Sequence, residues 1–213
     1  MIIKDVLTAP GLTGFYFDDQ AAIKAGASMD RFTYVGEART KKFKAIRQSG
    51  EALSIMLVLS DGQIAYGDAA AVQYSGAGGR DDLFYADEAK TFFDRHVKDA
   101  LIGLDVSTFK KHAEHFDTFK VEGEPIHTAL RYGITQALLD ATAKANRLTM
   151  SEIVRREYAI DAKYHKIPVF AQSGDDRYDH ADKMIMKEAD VLPHALINNI
   201  DTKLGRSGDL LLD

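Results

Sequence analysis

The stretch KIPVFAQSGDDRYDHADKMIMKEADVLPHALINN, residues 166–199, decides the fold of the C-terminal part of the chain. It opens with the short, nearly all-apolar run KIPVFA, which is typical of a strand buried on both faces. A helical pattern follows, and its apolar side carries Ala181, Met184, Ile185 and Ala189. Asp190 to His194 is a second short strand. The stretch therefore predicts a β-α-β unit, the building block of a parallel sheet or barrel.

This β-α-β unit is a poor domain on its own, because two parallel strands leave edges and one apolar face uncovered. Residues 203–213 have the pattern of the start of another helix, and the sequence stops there. We expect one of two arrangements. Either strand 166–171 extends a sheet of a preceding domain, or the chain is the front part of a longer protein.

The first third of the chain is rich in predicted strands. Ile2 to Leu7 is the first strand, and we expect it to end at Pro10-Gly11. Ser54 to Leu59 and Gln63 to Ala69 are two further strands, joined by Asp61-Gly62. A tight hairpin turn needs positive φ at its centre, so Asp-Gly between two such runs indicates a hairpin. The region is predicted to form a meander.

The middle of the chain changes to helical spacing, and four helices are predicted there. The apolar positions of the first, which Gly103 stops, are Ala89, Phe92, Phe93, Val97, Ala100, Leu101 and Leu104. Those of the second and third are Phe109, Ala113, Phe116 and Phe119, then Leu130, Ile134, Leu138, Ala141 and Ala145. A capping-box pattern, Thr149 to Glu152, opens the fourth. Strands followed by helices predict an α+β domain over residues 1–160, with a second part over 161–213.

Composition excludes several classes of protein. The chain has 213 residues, 46% apolar and 28% charged, which is ordinary for a soluble globular protein. Its net charge is −5 without a block of Lys and Arg, which argues against nucleic acid or a membrane surface as partner. The absence of cysteine excludes disulfides and thiolate metal sites. No transmembrane run or signal peptide is recognised, so we expect a cytoplasmic protein.

A glycine-rich segment, QYSGAGGR at Gln73 to Arg80, follows the predicted hairpin. It does not fit the dinucleotide pattern, because Asp81 stands where the last glycine should be, and it does not fit a P-loop. Two interpretations stay open. The segment is a loop without a special role, or it is a lid that carries Gln73 to a substrate.

Two polar positions follow the strands of the β-α-β unit. Parallel α/β folds bind ligands at the carboxyl ends of their strands, where Gln172 and His194 would stand. A glutamine can bind a carboxylate or an amine without adding charge, and a histidine can act as acid or base near neutral pH. The alternatives are a polar loop in which Asp175 or Asp176 caps the next helix, and a histidine satisfied by backbone.

Metal binding has little support in the pattern. His112 and His115 have the i, i+3 spacing of a ligand pair, but no third ligand is evident. No Asp or Glu directly follows a later strand of the β-α-β part. We therefore expect no complete metal site within these residues.

Four long segments of the chain resemble the methylaspartate ammonia-lyase family of the enolase superfamily. They are GLTGFYFDDQAAIKAGA (11–27), AAVQYSGAGGRDDLF (70–84), HTALRYGITQALLDA (127–141) and VFAQSGDDRYDHADKMIMKEADVLPHALINN (169–199). The resemblance runs over the whole chain. It implies an α+β capping domain followed by a (β/α)8 TIM barrel, of which only the first β-α-β part is present here.

The resemblance also implies a reaction. The family removes ammonia from (2S,3S)-3-methylaspartate to give mesaconate in glutamate fermentation. The C3 proton lies α to a carboxylate and is weakly acidic. Mg²⁺ on that carboxylate stabilises the enediolate, and a Lys or His is the base. The resemblance further implies K⁺ as an activator and a homodimer as the full-length assembly.

Three site residues correspond by position to the family. Gln172 matches a substrate-binding glutamine at the end of the first barrel strand, and Gln73 matches a capping-domain glutamine that reaches the substrate. His194 matches a catalytic histidine opposite the catalytic lysine. There it stabilises the intermediate and handles the proton of the other C3 epimer.

The chain departs from the family pattern in one large respect. The family's three Mg²⁺-binding carboxylates and its catalytic lysine would come after Asp213, and two strands cannot close a barrel. We therefore expect the chain to be a fragment or half of a split protein, inactive alone. Two other readings remain. One is a capping or interaction module that docks on a separate C-terminal barrel half, and the other is a small α+β binding protein without catalysis.

Overall fold

The computed structural model describes residues 1–71, 81–163, 165–171, 179–191 and 200–208, without the side chains of 202 and 203. The chain divides into two compact units, Met1–Asp161 and Ala162–Asp213. Among the described residues, no helix combines the length and the apolar character that crossing a bilayer requires.

The first unit places most of its strands before its helices, as the sequence predicts. In chain order its elements are β1 (Ile3–Asp18), α1 (Gln20–Lys24), β2 (Ser28–Asp30), β3 (Thr33–Val35), β4 (Arg47–Leu59), β5 (Ile64–Ala70), α2 (Ala86–His96), α3 (Lys98–Leu101), α4 (Lys110–Asp117), β6 (Lys120–Val121), β7 (Glu124–Pro125), α5 (Thr128–Asn146) and α6 (Met150–Glu157). The main sheet is antiparallel with the order β1-β4-β5. Strand pairs β2-β3 and β6-β7 form two small separate sheets.

The predicted hairpin between β4 and β5 is confirmed. Gly62 has φ +88°, and the Asp61 carboxylate accepts a hydrogen bond from the Gln63 amide at 3.0 Å. Alternate side chains of β4 are buried in the core, as expected for a strand with one covered face: Leu53, Ile55, Leu57 and Leu59.

The prediction that the first strand ends at Pro10-Gly11 is wrong, because β1 continues to Asp18. Pro10 lies opposite Leu53 within the ladder to β4. Since β1 is an edge strand of the sheet, a residue without an N–H can be accommodated there. The register then shifts between Leu12 and Tyr16, where the strand is irregular rather than ended.

The predicted helices are present, with one change. The helix expected around residues 89–104 is divided into α2 and α3 at Val97, and it ends before Gly103, whose φ is +86°. Helices α4, α5 and α6 correspond to the other three predictions. The capping box is confirmed, because Thr149 Oγ1 accepts from the Glu152 amide and a Glu152 carboxylate oxygen accepts from the Thr149 amide.

Helix α5 packs on β5 at two glycines. A Cβ at Gly67 would lie 2.1 Å from the carbonyl oxygen of Gly133, and one at Gly133 would lie 2.6 Å from the amide nitrogen of Ala69. The helix therefore approaches the strand more closely than a Cβ at either glycine would allow. Its buried face includes Leu130, Ile134, Ala137, Leu138 and Ala141.

The same helix covers the free edge of β5 with polar side chains. Asp140 accepts from the Tyr66 amide at 2.8 Å, and Gln136 accepts from the Asp68 amide at 2.9 Å. Lys144 donates to the Ile64 carbonyl at 2.7 Å. These bonds satisfy edge groups that would otherwise be open to pairing with another strand.

The second unit contains a parallel bridge between Phe170 and Val191, with α7 (Asp179–Met186) between them in the chain and α8 (Ile200–Lys203) after them. The expected burial of strand 166–171 is wrong for this chain. The side chains of Ile167, Val169 and Phe170 are 78%, 54% and 63% exposed. Within the described part of this unit, α7 also has no buried residue, so no packed layer covers the strand.

The helix expected over residues 203–213 is wrong for the part that is described, because α8 ends at Lys203 and residues 204–208 form turns in which Gly205 and Gly208 have φ +76°. Residues 209–213 lie outside the described ranges.

Candidate functional site

The three predicted site residues, Gln73, Gln172 and His194, lie outside the described residues. The segments QYSGAGGR and QSGDDR also lie outside the described residues, so the alternative interpretations of both stay open. The geometry that the structure provides is that of the residues on either side of these positions.

The chain segments that lead to Gln172 and His194 are hydrogen-bonded to each other. The Ala171 amide donates to the Val191 carbonyl at 3.0 Å, and the Val191 amide donates to the Val169 carbonyl at 3.1 Å. The Asp190 carboxylate accepts from the Val169 amide at 2.8 Å. Because the pairing is parallel, both segments run in the same direction as they approach the two site positions.

The segment after Gln73 is attached to the beginning of α5. A carboxylate oxygen of Asp81 accepts from the Thr128 amide at 3.1 Å. Burial alone would raise the pKa of Asp81, but the Thr128 hydrogen bonds outweigh it and hold that pKa below its ordinary value. Asp81 is therefore a fixed anion at the positive end of a helix dipole.

His127 caps α5, a role that the sequence did not reveal. Its Nδ1 accepts from the Ala129 amide at 3.0 Å, and its Nε2 lies 2.9 Å from the Asp82 carbonyl oxygen. The ring also contacts Phe84 edge-on at 5.1 Å between centroids. Ser, Thr, Asn and Asp are the usual caps, so the local pattern gave no signal for an imidazole.

Asp18 and Arg47 form a nearly buried ion pair at the base of the β2-β3 hairpin. Arg47 Nε lies 2.7 Å from Asp18 Oδ1, and a terminal nitrogen lies 2.8 Å from Oδ2. The guanidinium also donates to the Phe32 carbonyl and lies over the rings of Tyr16 and Tyr34. The bidentate bond to Asp18 raises the pKa of Arg47, so the guanidinium stays charged while it holds the hairpin to the sheet.

Asp19 is fully buried and joins two segments. It caps α1 through the amides of Ala21 and Ala22, and it accepts from the amides of Arg39 and Thr40 and from the Thr40 hydroxyl. Burial alone would raise the pKa of Asp19, but these hydrogen bonds outweigh it and hold the pKa below its usual value. The charged carboxylate is the form that the fold needs.

The Asp19 carboxylate should give the first unit a defined acid sensitivity. Its pKa is lower in the folded than in the unfolded state, so its contribution is complete above the unfolded value, about 3.9, and is lost as pH falls through the folded value. We expect Asp19→Asn to lower the free energy of unfolding at pH 7 by about 2 kcal/mol, the scale of a hydrogen-bonded charge.

Urea unfolding of the first unit at a series of pH values measures this. The difference between the parent chain and Asp19→Asn should narrow as pH falls below about 4. Asp30→Asn, at an exposed position of β2, is the matched control and should change stability little. If the difference in free energy of unfolding between the two chains stays constant down to about pH 2, the charge of Asp19 does not contribute to stability.

A pocket of about 220 Å³ lies beside His127, between α2 and the start of α5. Its lining is mainly apolar, and it includes Phe84, Phe92 and Leu130. The Lys42 ammonium at its edge is 3.3 Å from Asp82 and 3.5 Å from Glu88. Because this lysine is already paired with two carboxylates, the pocket is a weak candidate for a substrate that carries two carboxylates.

The described residues include no group of three or more His, Asp or Glu side chains that could hold a metal ion. His112 and His115 have other contacts. His112 Nε2 lies 2.7 Å from the Asp105 carbonyl oxygen, and the ring of His115 contacts Phe116 and Phe119. The described part of the chain therefore does not fit a Mg²⁺ ion.

Family models match both parts of the chain. The model for the methylaspartate ammonia-lyase N-terminus matches residues 1–159, and the model for the methylaspartate ammonia-lyase C-terminus matches residues 161–213. Methylaspartate ammonia-lyase of Clostridium tetanomorphum is 59% identical over the whole chain, which covers 52% of that protein. The enzyme of Citrobacter amalonaticus is 51% identical over 99% of the chain, which covers 51% of it.

Solved structures of these enzymes have the same fold as this chain. A Mg complex of the Clostridium tetanomorphum enzyme matches with a TM-score of 0.94, over 100% of this chain and 51% of the other. The Citrobacter amalonaticus enzyme containing (2S,3S)-3-methylaspartic acid matches with a TM-score of 0.92, over 99% and 51%. Muconate lactonizing enzyme of Pseudomonas fluorescens, 19% identical with a TM-score of 0.56 over 95% and 47%, shares the fold alone.

The family models and the curated relatives all name the same enzyme family. The chain spans about half the length of the curated relatives it matches. The N-terminal family model alone covers residues 1–159, which is most of the chain. On this ground the chain belongs to the methylaspartate ammonia-lyase family.

Proposed function

We propose that this chain is the N-terminal part of a methylaspartate ammonia-lyase, which eliminates ammonia from (2S,3S)-3-methylaspartate to give mesaconate in glutamate fermentation. The observation that carries the proposal is the match of family models to both parts of the chain, 1–159 and 161–213. Residues 1–160 would form the capping domain, and residues 161–213 the first β-α-β part of a (β/α)8 barrel. The complete enzyme would be a cytoplasmic homodimer.

The chemistry assigns a task to each of three residues. The reaction breaks the C3–H and C2–N bonds, releases ammonia and leaves a C2–C3 double bond. Gln172 and Gln73 would hold the substrate through amide hydrogen bonds, which suit carboxylate and ammonium groups alike. His194 would stabilise the intermediate and move the C3 proton of the other epimer, a role that suits an imidazole near neutral pH.

Parallel pairing next to two of these residues supports the assignment. The bridge between Phe170 and Val191 joins the segments that precede Gln172 and His194. In parallel α/β folds, residues that follow the carboxyl ends of neighbouring strands share a ligand. The two residues are therefore proposed to contact the same substrate.

The proposal includes Mg²⁺ and K⁺ because the resemblance to the family implies them. Mg²⁺, when bound, would stabilise the enediolate form of the substrate carboxylate. The described residues offer no cluster that fits it. Its ligands are proposed to lie after Asp213, together with the catalytic lysine.

A chimaeric enzyme tests the assigned roles. The completed chain is defined here as residues 1–213 followed by the part of the Clostridium tetanomorphum relative beyond the counterpart of Asp213. In it, His194→Ala should lower kcat for the C3 epimer of the substrate by about 100-fold, the low end for losing a general acid or base. The loss for (2S,3S)-3-methylaspartate should be smaller, and Gln172→Ala should mainly raise KM.

The control for this experiment is His165→Ala, at an exposed described position of the second unit. It should leave both rates unchanged. Equal kcat values for the parent and His194→Ala with both epimers would contradict the role of His194.

One observation favours a second function, a module that docks on a separate C-terminal barrel half. The second unit exposes large apolar side chains, among them Ile167, Phe170, Ile185 and Met186. Such surfaces on a folded chain usually mark a site of association. Size-exclusion chromatography with binding of a hydrophobic dye separates the possibilities. A compact monomer that binds no dye would argue against an unfinished barrel.

A further inference from the structure

The β2-β3 hairpin of the first unit has an exposed apolar tip. Each of residues 28–35 is at least partly exposed, and Arg31 and Phe32 form the turn between the two strands. The Phe32 side chain is 85% exposed, and Met29 and Val35 are exposed within the same hairpin. Single exposed apolar residues are ordinary, but several of them in one short element usually mark a site of association.

The backbone of this tip is held in place. Arg47 donates to the Phe32 carbonyl at 3.1 Å, while its bidentate bond to Asp18 fixes the guanidinium. The same guanidinium lies over the Tyr34 ring, 4.9 Å from its centroid. A side chain on a fixed backbone loses less conformational freedom on binding than one on a mobile loop. Phe32 therefore has the properties of a preformed aromatic anchor, the kind of residue that dominates many protein interfaces.

The pocket beside His127 has the size and the lining for such an anchor. Its volume is about 220 Å³, and its walls include Phe84, Phe92 and Leu130. Pockets for drug-sized ligands usually measure about 300 Å³ or more, so this pocket suits a single ring. Phe32 of the same copy does not fill it, since that side chain is exposed.

The charges around the two features are complementary. Residues 24–47, which include the hairpin, contain seven Lys or Arg and two Asp or Glu, in a chain whose net charge is −5. At the rim of the pocket, the carboxylates of Asp82 and Glu88 share the ammonium of Lys42 and are mostly exposed. The rim therefore has one negative charge in excess, and Arg31 at the hairpin tip carries the opposite charge.

The hairpin and the pocket are attached to the same part of the sheet. Tyr85, in the pocket lining, donates to the Lys42 carbonyl and accepts from the Gln48 side chain at 3.2 Å. Gln48 follows Arg47, the residue that holds the hairpin, in β4. A surface that lies beside its own complement is what a two-fold dimer requires, because each copy then offers both parts of the contact.

We propose that a second copy of this chain binds at this surface, with Phe32 of each copy in the pocket of the other and Arg31 beside Glu88. A second copy is the occupant that the charges favour, because an acidic chain supplies to its own basic segment the surface that this segment complements. The contact is small, so association of the chain is weak and depends on concentration. It is independent of the proposed lyase activity, since none of these residues is assigned to the substrate.

Disulfide cross-linking tests the contact directly, because the chain contains no cysteine. Arg31→Cys and Glu88→Cys are prepared as separate chains with different affinity tags and are mixed under mild oxidation. The mixed covalent dimer should form roughly tenfold faster than in a mixture of Arg31→Cys with Glu114→Cys, since binding raises the effective concentration of the paired thiols. Glu114 is an exposed position of α4 and serves as the matched control. Equal rates in the two mixtures would overturn the proposal.

Sedimentation velocity over a concentration series measures the strength of association. Phe32→Asp should raise the dissociation constant of the dimer by about 30-fold or more, the scale of an interface hot spot. Ile102→Asp, at an exposed apolar position outside both features, should leave that constant unchanged. A parent chain that stays monomeric, or a Phe32→Asp chain that associates as strongly as the parent, would show that the proposal is wrong.

Charge reversal separates a specific contact from general adhesion of apolar surfaces. Arg31→Glu and Glu88→Arg should each weaken association by about fivefold, the upper range for an exposed ion pair. The chain with both substitutions should recover most of the loss, because the pair is then reversed and not removed. If the two losses multiply in the double variant, Arg31 does not lie beside Glu88.

The completed chain distinguishes a second copy from another occupant. Cross-linking between Arg31→Cys and Glu88→Cys at the rate found for the 213-residue chain supports the second copy. Loss of the cross-link in the completed chain would assign the hairpin or the pocket to the part beyond Asp213, and it would overturn the proposal. Neither result depends on mesaconate formation, so failure of the proposed function is recognised separately.

Discussion

Gly67→Ala is expected to lower the free energy of unfolding of the first unit by about 3 kcal/mol, the upper part of the usual range for overpacking a core. The new Cβ would lie 2.1 Å from the Gly133 carbonyl oxygen and 2.6 Å from the Ala137 amide nitrogen. Both atoms belong to the backbone of α5, so no side chain can rotate away to make room. The helix must separate from β5, and the contacts of Leu130 and Ile134 with the sheet side of the core would weaken.

Denaturant unfolding followed by circular dichroism measures this loss. Gly14→Ala is a matched control, because Gly14 is also in a strand and a Cβ there would meet nothing within 4 Å. It should change stability by less than about 0.5 kcal/mol. A Gly67→Ala chain as stable as the Gly14→Ala chain would show that α5 and β5 are not in the close contact described above.

Most elements of the first unit could be predicted from local sequence, because local chemistry determines them. Asp61-Gly62 and the Thr149 to Glu152 capping box have their own backbone requirements, which no other part of the chain needs to supply. The end of β1 could not be predicted in this way. Whether Pro10 stops a strand depends on which strands lie beside it, and that is a property of the whole sheet.

Burial in the second unit shows a related limit. The run KIPVFA has the composition of a strand covered on both faces, yet Ile167 and Phe170 are mostly exposed. Hydrophobic composition reports what a segment would gain from being covered, and it does not report whether a covering layer is present in the same chain.

The candidate site also contains residues that could be predicted from the sequence and neighbouring residues that could not. Gln73, Gln172 and His194 were predicted from their places in the sequence and from resemblance, and they remain predictions. The residues that fix the neighbouring segments were missed. His127 is an unusual helix cap, and Asp19 joins α1 to Arg39 and Thr40 across about twenty positions of sequence. No local pattern contains such pairs, because they form only when the chain is folded.

The largest effect that the account predicts is the appearance of activity when the missing part is supplied. The described residues offer no group of three or more side chains for Mg²⁺. Under the proposed function, the metal ligands and the catalytic lysine follow Asp213. The 213-residue chain alone should therefore not convert 3-methylaspartate. The completed chain should convert it, since residues 1–213 would then supply Gln73, Gln172 and His194 to a closed barrel.

The most direct measurement is the rate of mesaconate formation from (2S,3S)-3-methylaspartate, followed by ultraviolet absorbance with Mg²⁺ and K⁺ present. Three samples are compared: the chain alone, the completed chain, and the completed chain with His194→Ala and Gln172→Ala together. The account predicts no turnover in the first sample and the full rate in the second. In the third it predicts a reduced rate, mainly through a raised KM. Turnover by the chain alone, or a folded completed chain that forms no mesaconate, would contradict it.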